Sequence, residues 1–129
     1  MKILGLLKAD ASTEAGVPPS PELMDKMGKF VDEVAKAGVL IATDGLTPTS
    51  QGKRVQLSNG KITVIDGPFA GPKEQVSAYA LYQVKSMAEA IEWTTRFLKV
   101  LGQGECELRP IFEPEDLPAA PDAKSAHSH

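Results

Sequence analysis

The chain has 129 residues, 42% of them apolar, with 17 acidic side chains against 14 Lys and Arg, which is enough for one globular core and too little for two. A net charge of -3 leaves no basic stripe for a nucleic-acid backbone, and apolar runs such as Val39 to Ala42 are far too short to span a membrane. Cys106 is the one cysteine, so the chain has neither a disulfide framework nor a paired-thiol metal site of its own.

In chain order, Lys2 to Lys8 reads as a strand. Its five-residue apolar stretch and the lack of a small-residue cleavage site argue against a secretion signal, and the expected location is the cytoplasm. Asp10, Ser12 and Glu14 fall in a loop that Gly16 to Pro19 stiffens, serving either as a lid or as a plain connection. A helix follows, with Ser20 as N-cap, Pro21 at its first position and Gly38 as its stop. Leu23, Met27, Phe30, Val31 and Val34 line one face, while the pairs Glu22 with Lys26, Asp25 with Lys29 and Asp32 with Lys36 make the other face a solvated one. Val39 to Ala42 is the next strand.

Arg54 to Leu57 and Ile62 to Ile65 flank Ser58-Asn59-Gly60-Lys61, in which Asn-Gly suits the two positive φ angles of a type I′ turn, so this segment is a hairpin. Val76 to Val84 is a further strand. The second helix opens with Ser86-Met87-Ala88-Glu89, a capping box. It buries Met87, Ala90, Ile91, Thr94, Phe97, Leu98 and Leu101, sets Trp93 to the side as edge packing and stops at Gly102. Glu105 to Phe112 is the last strand. The order strand, helix, strand, hairpin, strand, helix, strand is the ferredoxin-like βαββαβ plan with an inserted β-hairpin, an α+β fold.

Two helices cover only one face of such a sheet, so the strands should alternate apolar and polar. They do not. Opposite Ile3 and Leu7 stand Leu4 and Leu6, and opposite Val76, Ala78, Ala80, Tyr82 and Val84 stand Tyr79 and Leu81. A bare apolar face of this size is expected to be covered by a second copy, giving a homodimer.

The most unusual segment, Asp66-Gly67-Pro68-Phe69-Ala70-Gly71-Pro72-Lys73-Glu74, follows the hairpin. With Met27-Gly28-Lys29-Phe30, Ala37-Gly38-Val39-Leu40, Asp44-Gly45-Leu46, Gly52-Lys53-Arg54-Val55, Ala90-Ile91-Glu92-Trp93 and Glu107-Leu108-Arg109-Pro110, it resembles the DGPF branch of the YCII-related family of bacterial proteins, over about Met1 to Leu117. The resemblance implies a dimeric α+β barrel of ferredoxin-like protomers. Related barrels include small-molecule isomerases, decyclising enzymes and monooxygenases, and some DGPF proteins are partners of extracytoplasmic-function sigma factors. The His–Asp pair proposed for another branch has no counterpart, because no histidine precedes His127. Where the family usually continues Glu-Thr-Lys-Glu after Ala70, this chain has Gly71-Pro72 before Lys73-Glu74.

Asp66 at a strand end can be a general base, a metal ligand or a turn-former, and the four residues from it make a rigid corner without any chemistry. As the catalytic candidate, Asp66 would take a proton if desolvation raised its pKa, with Phe69 as an apolar wall. Lys8, Asp44 and Arg54 flank strand ends, where Lys8 or Arg54 can hold an anionic group. Tyr79 and Tyr82 are candidates for a cavity, and Lys73 and Glu74 complete the binding set. No cofactor or metal is expected. The ligand expected is an unknown small molecule, with a sigma factor as the alternative partner and neither nucleic acid nor membrane involved. Residues 1–117 form the domain, and 118–129, rich in Pro and Ala and holding His127 and His129, a flexible tail.

Overall fold

The computed structural model describes residues 1–69 and 75–114, so Lys73, Glu74, the Gly71-Pro72 departure and the tail lie outside the described residues. Strand β1 (Lys2–Lys8) leads through a short helix α1 (Ala11–Glu14) to α2 (Pro21–Lys36) and β2 (Leu40–Gly45). A 3-10 turn (Thr49–Gln51) precedes the hairpin of β3 (Lys53–Ser58) and β4 (Lys61–Asp66), and then come β5 (Val76–Gln83), α3 (Met87–Leu101) and β6 (Cys106–Pro110). Four strands form one antiparallel sheet in the order β2-β5-β1-β6, the ferredoxin-like arrangement, and β3 and β4 form a separate two-stranded sheet. No helix among the described residues is long and apolar enough to cross a membrane.

The local signals act as the sequence suggests. Ser20 Oγ accepts from Leu23 N at 3.2 Å with Pro21 at the first helical position, Gly102 ends α3 with φ 88°, and Asn59 and Gly60 take φ 52° and 76° at the hairpin tip. Lys29 Nζ meets Asp25 at 3.0 Å across one turn of α2. The capping box of α3 is altered: Ser86 Oγ accepts from Glu89 N, but Glu89 Oε1 takes the N–H of Lys85, one residue earlier than expected. Ile91, expected in the buried stripe, is exposed. Helix α1 replaces part of the expected loop, because Asp10 and Thr13 cap each other reciprocally, Thr13 N to Asp10 Oδ1 and Asp10 N to Thr13 Oγ1, both at 2.8 Å.

The core lies between the helices and one sheet face. Ile3, Phe30, Val34, Val39, Tyr82, Val84 and Ala90 are buried there, with Met87, Trp93, Phe97 and Leu108 against them. Glycine at position 5 makes room for the Tyr82 ring, since a Cβ would stand 3.3 Å from both Tyr82 Cε2 and Leu108 Cδ2. Register places Leu4, Leu6 and Lys8 on the opposite, open face, level with Leu81, Tyr79, Glu107 and Arg109. Ala42 and Asp44 of β2 share that face. The open face thus carries an apolar middle of Leu4, Leu6, Ala42, Tyr79 and Leu81, flanked by the charged Lys8, Asp44, Glu107 and Arg109. Pairing slips by one residue between Leu40 and Ala42, leaving Ile41 exposed in a bulge on one outer strand, and Pro110 ends the other.

Candidate functional site

Two constellations lie near the sheet end formed by Lys8, Gly45 and Val76. The first is the corner after β4. Gly67 N donates to Gly52 O at 3.0 Å, and Phe69 N donates to Thr49 Oγ1 at 3.2 Å. The Thr49 hydroxyl donates in turn to Glu14 Oε2 at 2.6 Å, while Glu14 Oε1 accepts from Thr49 N at 3.0 Å. Gln75, a buried amide, donates to the Phe69 carbonyl. One carboxylate in α1 therefore holds the 3-10 turn through two charge-assisted hydrogen bonds, and the Thr49 hydroxyl and the Gly52 carbonyl in turn hold the corner. The Gly67–Pro68 peptide is cis.

Around this corner the sequence-derived candidates take distinct places. Asp66 stands at the end of β4 with its side chain 74% exposed, and Lys53 Nζ, opposite it in register, lies 2.5 Å from Oδ1. The Arg54 guanidinium sits 4.1 Å over the Phe69 ring, so Phe69 meets a cation as well as the corner it belongs to. Asp44 accepts from the Tyr79 hydroxyl at 3.3 Å. Lys8 Nζ reaches Glu107 Oε1 at 3.2 Å, and Arg109 donates to Glu107 Oε2 at 3.1 Å.

These two cations hold the Glu107 carboxyl below the usual glutamate range, the hydrogen bond from Arg109 being the largest single cause, followed by the hydrogen bond and the charge of Lys8. A carboxyl depressed in the folded state adds stability that is present above its unfolded value and is lost as pH falls through the folded one. Glu107→Gln is therefore expected to flatten part of the acid limb of stability, checked by urea denaturation from about pH 6 to about pH 3. An unchanged acid limb would remove the pairing from the account.

The second constellation is a partly open cavity of about 50 Å³ between the helices and the sheet. At about 10–15 Å³ for each water position, it has room for about four waters. Phe30, Val34 and Phe97 wall it from the helices, and Leu7, Leu40 and Ala80 from the sheet. Its polar groups are Thr43, Tyr82, Thr94 and Cys106, and among the described residues no charged side chain lines it. Thr43 Oγ1 is occupied, donating to Tyr79 O at 2.7 Å. Burial pushes the Tyr82 hydroxyl above the ordinary tyrosine value, the nearby Cys106 adds to the rise, and Thr94 opposes it. The Cys106 thiol is raised by burial and by Glu105. Thr94 is 7% exposed, and among the described residues its hydroxyl oxygen has no hydrogen-bond partner. Although Thr94 stands close enough to Tyr82 to favour its phenolate, the two do not reach hydrogen-bond geometry.

The structure thus brings Tyr82 to the cavity and leaves Asp66, Lys8 and Arg54 outside its lining. Tyr79 borders it while its hydroxyl turns to Asp44. The sequence places Thr94 in the buried stripe of α3 without a site role and Glu14 in a lid or connecting loop, and it singles out neither Thr49 nor Gln75. A threonine inside the apolar stripe of α3 was the available signal for the first. Nothing in the periodicity marks Thr49 or Gln75. Among the described residues no group of three or more His, Cys, Asp or Glu side chains is placed to hold a metal ion.

A model of the YCII-related domain matches residues 1–114 of the chain. An uncharacterized protein of Rhizobium meliloti is 32% identical over 87 residues, 65% of this chain and 70% of that protein. Among solved structures, the 5-chloro-2-hydroxyhydroquinone dehydrochlorinase of Burkholderia phenoliruptrix, in complex with 2,5-dihydroxybenzoquinone, aligns with a TM-score of 0.48 at 10% identity, covering 89% of this chain and 97% of that one.

Proposed function

The chain belongs to the YCII-related domain family, and we propose that it is a cytoplasmic homodimer binding a small organic molecule between its helices and its sheet. The observation that carries this reading is the Thr94 hydroxyl, buried and unpartnered at the wall of an otherwise apolar cavity. A buried polar group without a partner costs about 1–3 kcal/mol, which a ligand oxygen would offset. The uncharged lining favours a neutral molecule over an anionic one: a handful of heavy atoms up to one small ring, carrying a hydroxyl or carbonyl oxygen. Support for the dimer comes from the apolar open face of the sheet. Asp66 joins the reading as an acid–base group once a covering chain withdraws its carboxylate from water.

The test is a thermal-shift screen of small alcohols, phenols and ketones on wild type, Thr94→Val and Asp66→Asn. Thr94→Val keeps the shape and removes the orphan hydroxyl, so the free protein should gain about 1 kcal/mol and lose the ligand-induced rise in Tm that wild type shows. Asp66→Asn should keep that rise. If no compound stabilises wild type, or if Thr94→Val responds equally, the cavity is not the binding site. A second reading, a regulatory module that binds another protein such as an extracytoplasmic-function sigma factor, is favoured by one observation, the exposed apolar side chains of the β3–β4 hairpin.

A further inference from the structure

Every residue of β3 and β4 is exposed. The register sorts most of their side chains: Val55 opposes Val64 and Leu57 opposes Ile62 on one face, whereas Gln56 with Thr63, Ser58 with Lys61 and Arg54 with Ile65 occupy the other. The four apolar residues of the first face are between 54% and 70% exposed. A two-stranded hairpin standing alone in water is marginal, and an aliphatic face of this kind is a surface awaiting a partner.

The size of the open sheet face indicates which partner. Four strands at about 4.8 Å spacing, each with about six residues at about 3.3 Å, present roughly 400 Å². A standard interface takes about 800 Å² from each side, so the sheet supplies about half. The apolar face of one hairpin is roughly 200 Å² by the same spacings. Sheet face and hairpin together give each chain about 600 Å², the lower end of the standard range, and in a two-fold dimer both chains contribute them alike.

We propose that the β3–β4 hairpin is an arm that lies across a second copy of this chain, with Val55, Leu57, Ile62 and Val64 inward. This rests on the dimer proposed above and adds what closes it. The Lys53–Asp66 ion pair stands on the same face of the arm, at its base. Docking therefore takes the Asp66 carboxylate out of bulk water, so the acid–base role proposed for it exists only in the assembled pair.

Sedimentation velocity on the full chain tests the arm with Leu57→Glu and, separately, Val64→Glu, against Gln56→Glu on the polar face. Both apolar-face positions are exposed within one chain, so circular dichroism should report an unchanged fold. The expected result is a dimeric wild type and Gln56→Glu, and dimer dissociation constants at least about tenfold weaker for the two apolar-face variants. A dimeric wild type with apolar-face variants just as tightly paired overturns the arm while leaving the dimer standing. Equal weakening by Gln56→Glu overturns the assignment of the docking face. A monomeric wild type overturns the dimer and the arm together, and hands the exposed face to a different protein.

Discussion

Gly67→Ala is expected to cost about 3 kcal/mol of stability and to unseat the corner after β4, a loss at the upper end for single substitutions. The cause is steric contact with backbone. A Cβ at position 67 would stand 1.7 Å from Thr49 O and 2.7 Å from Thr49 C, and 3.3 Å from Gly52 O. No rotamer relieves a contact made by the main chain, so either the 3-10 turn or the strand end must move. Moving either breaks the Gly67 N to Gly52 O bond and stretches the Glu14–Thr49–Phe69 chain of hydrogen bonds. Urea denaturation checks the stability, and hydrogen exchange at Gly52 and Phe69 locates the damage. Gly28→Ala is the matching control, since nothing lies within 4 Å of a Cβ there and alanine in mid-helix should gain up to about 1 kcal/mol. Equal stability of Gly67→Ala and wild type would show that the close approach is not needed.

Phe30→Ala should be of similar or larger size, about 3–5 kcal/mol, because it removes a buried ring at the centre of an aromatic cluster. Phe30 meets Trp93 edge-on with ring centroids 6.2 Å apart and Phe97 at 5.9 Å. On the outer side, Arg96 lies 5.6 Å from its ring and pairs with Glu33 of α2, which joins the two helices above the core. Since Phe30 also walls the cavity, its loss should both destabilise the free protein and widen the space a ligand fills. Thermal denaturation with and without a small aromatic ligand separates the two effects: the free protein melts earlier, and a bulkier ring compound recovers part of the loss. A cost under about 1 kcal/mol would mean that the helices close over the vacancy.

Much of this architecture is written in local patterns. The Asn59-Gly60 pair, the Ser20-Pro21 entry to α2 and the Gly102 stop of α3 each satisfy a backbone requirement that one or two residue types meet. The doubled apolar character of β1 and β5 likewise announces an uncovered sheet face. Helix α1 is not legible this way, because four residues capped by Asp10 and Thr13 have no apolar period to read. Ile91 misleads for the opposite reason: it has a spacing found in the buried stripe, yet helical geometry sets it at the edge of that stripe, where it is exposed. The DGPF letters locate a corner, but its fastening depends on Glu14 and Thr49, which are 35 residues apart, and no pattern along the chain joins such distant positions. For the cavity, a threonine among apolar neighbours was visible, but its lack of a hydrogen-bond partner is a property of the folded packing alone.

The outer strands decide what kind of assembly an adhesive surface can make here. The bulge at Ile41 spoils the straight row of main-chain groups along one margin, and the proline at the end of β6 withholds an N–H from the other. Neighbouring molecules therefore find it hard to add strand upon strand into a ribbon without end. Stacking face against face remains open to them, and a stack of two would hide the open sheet faces of both.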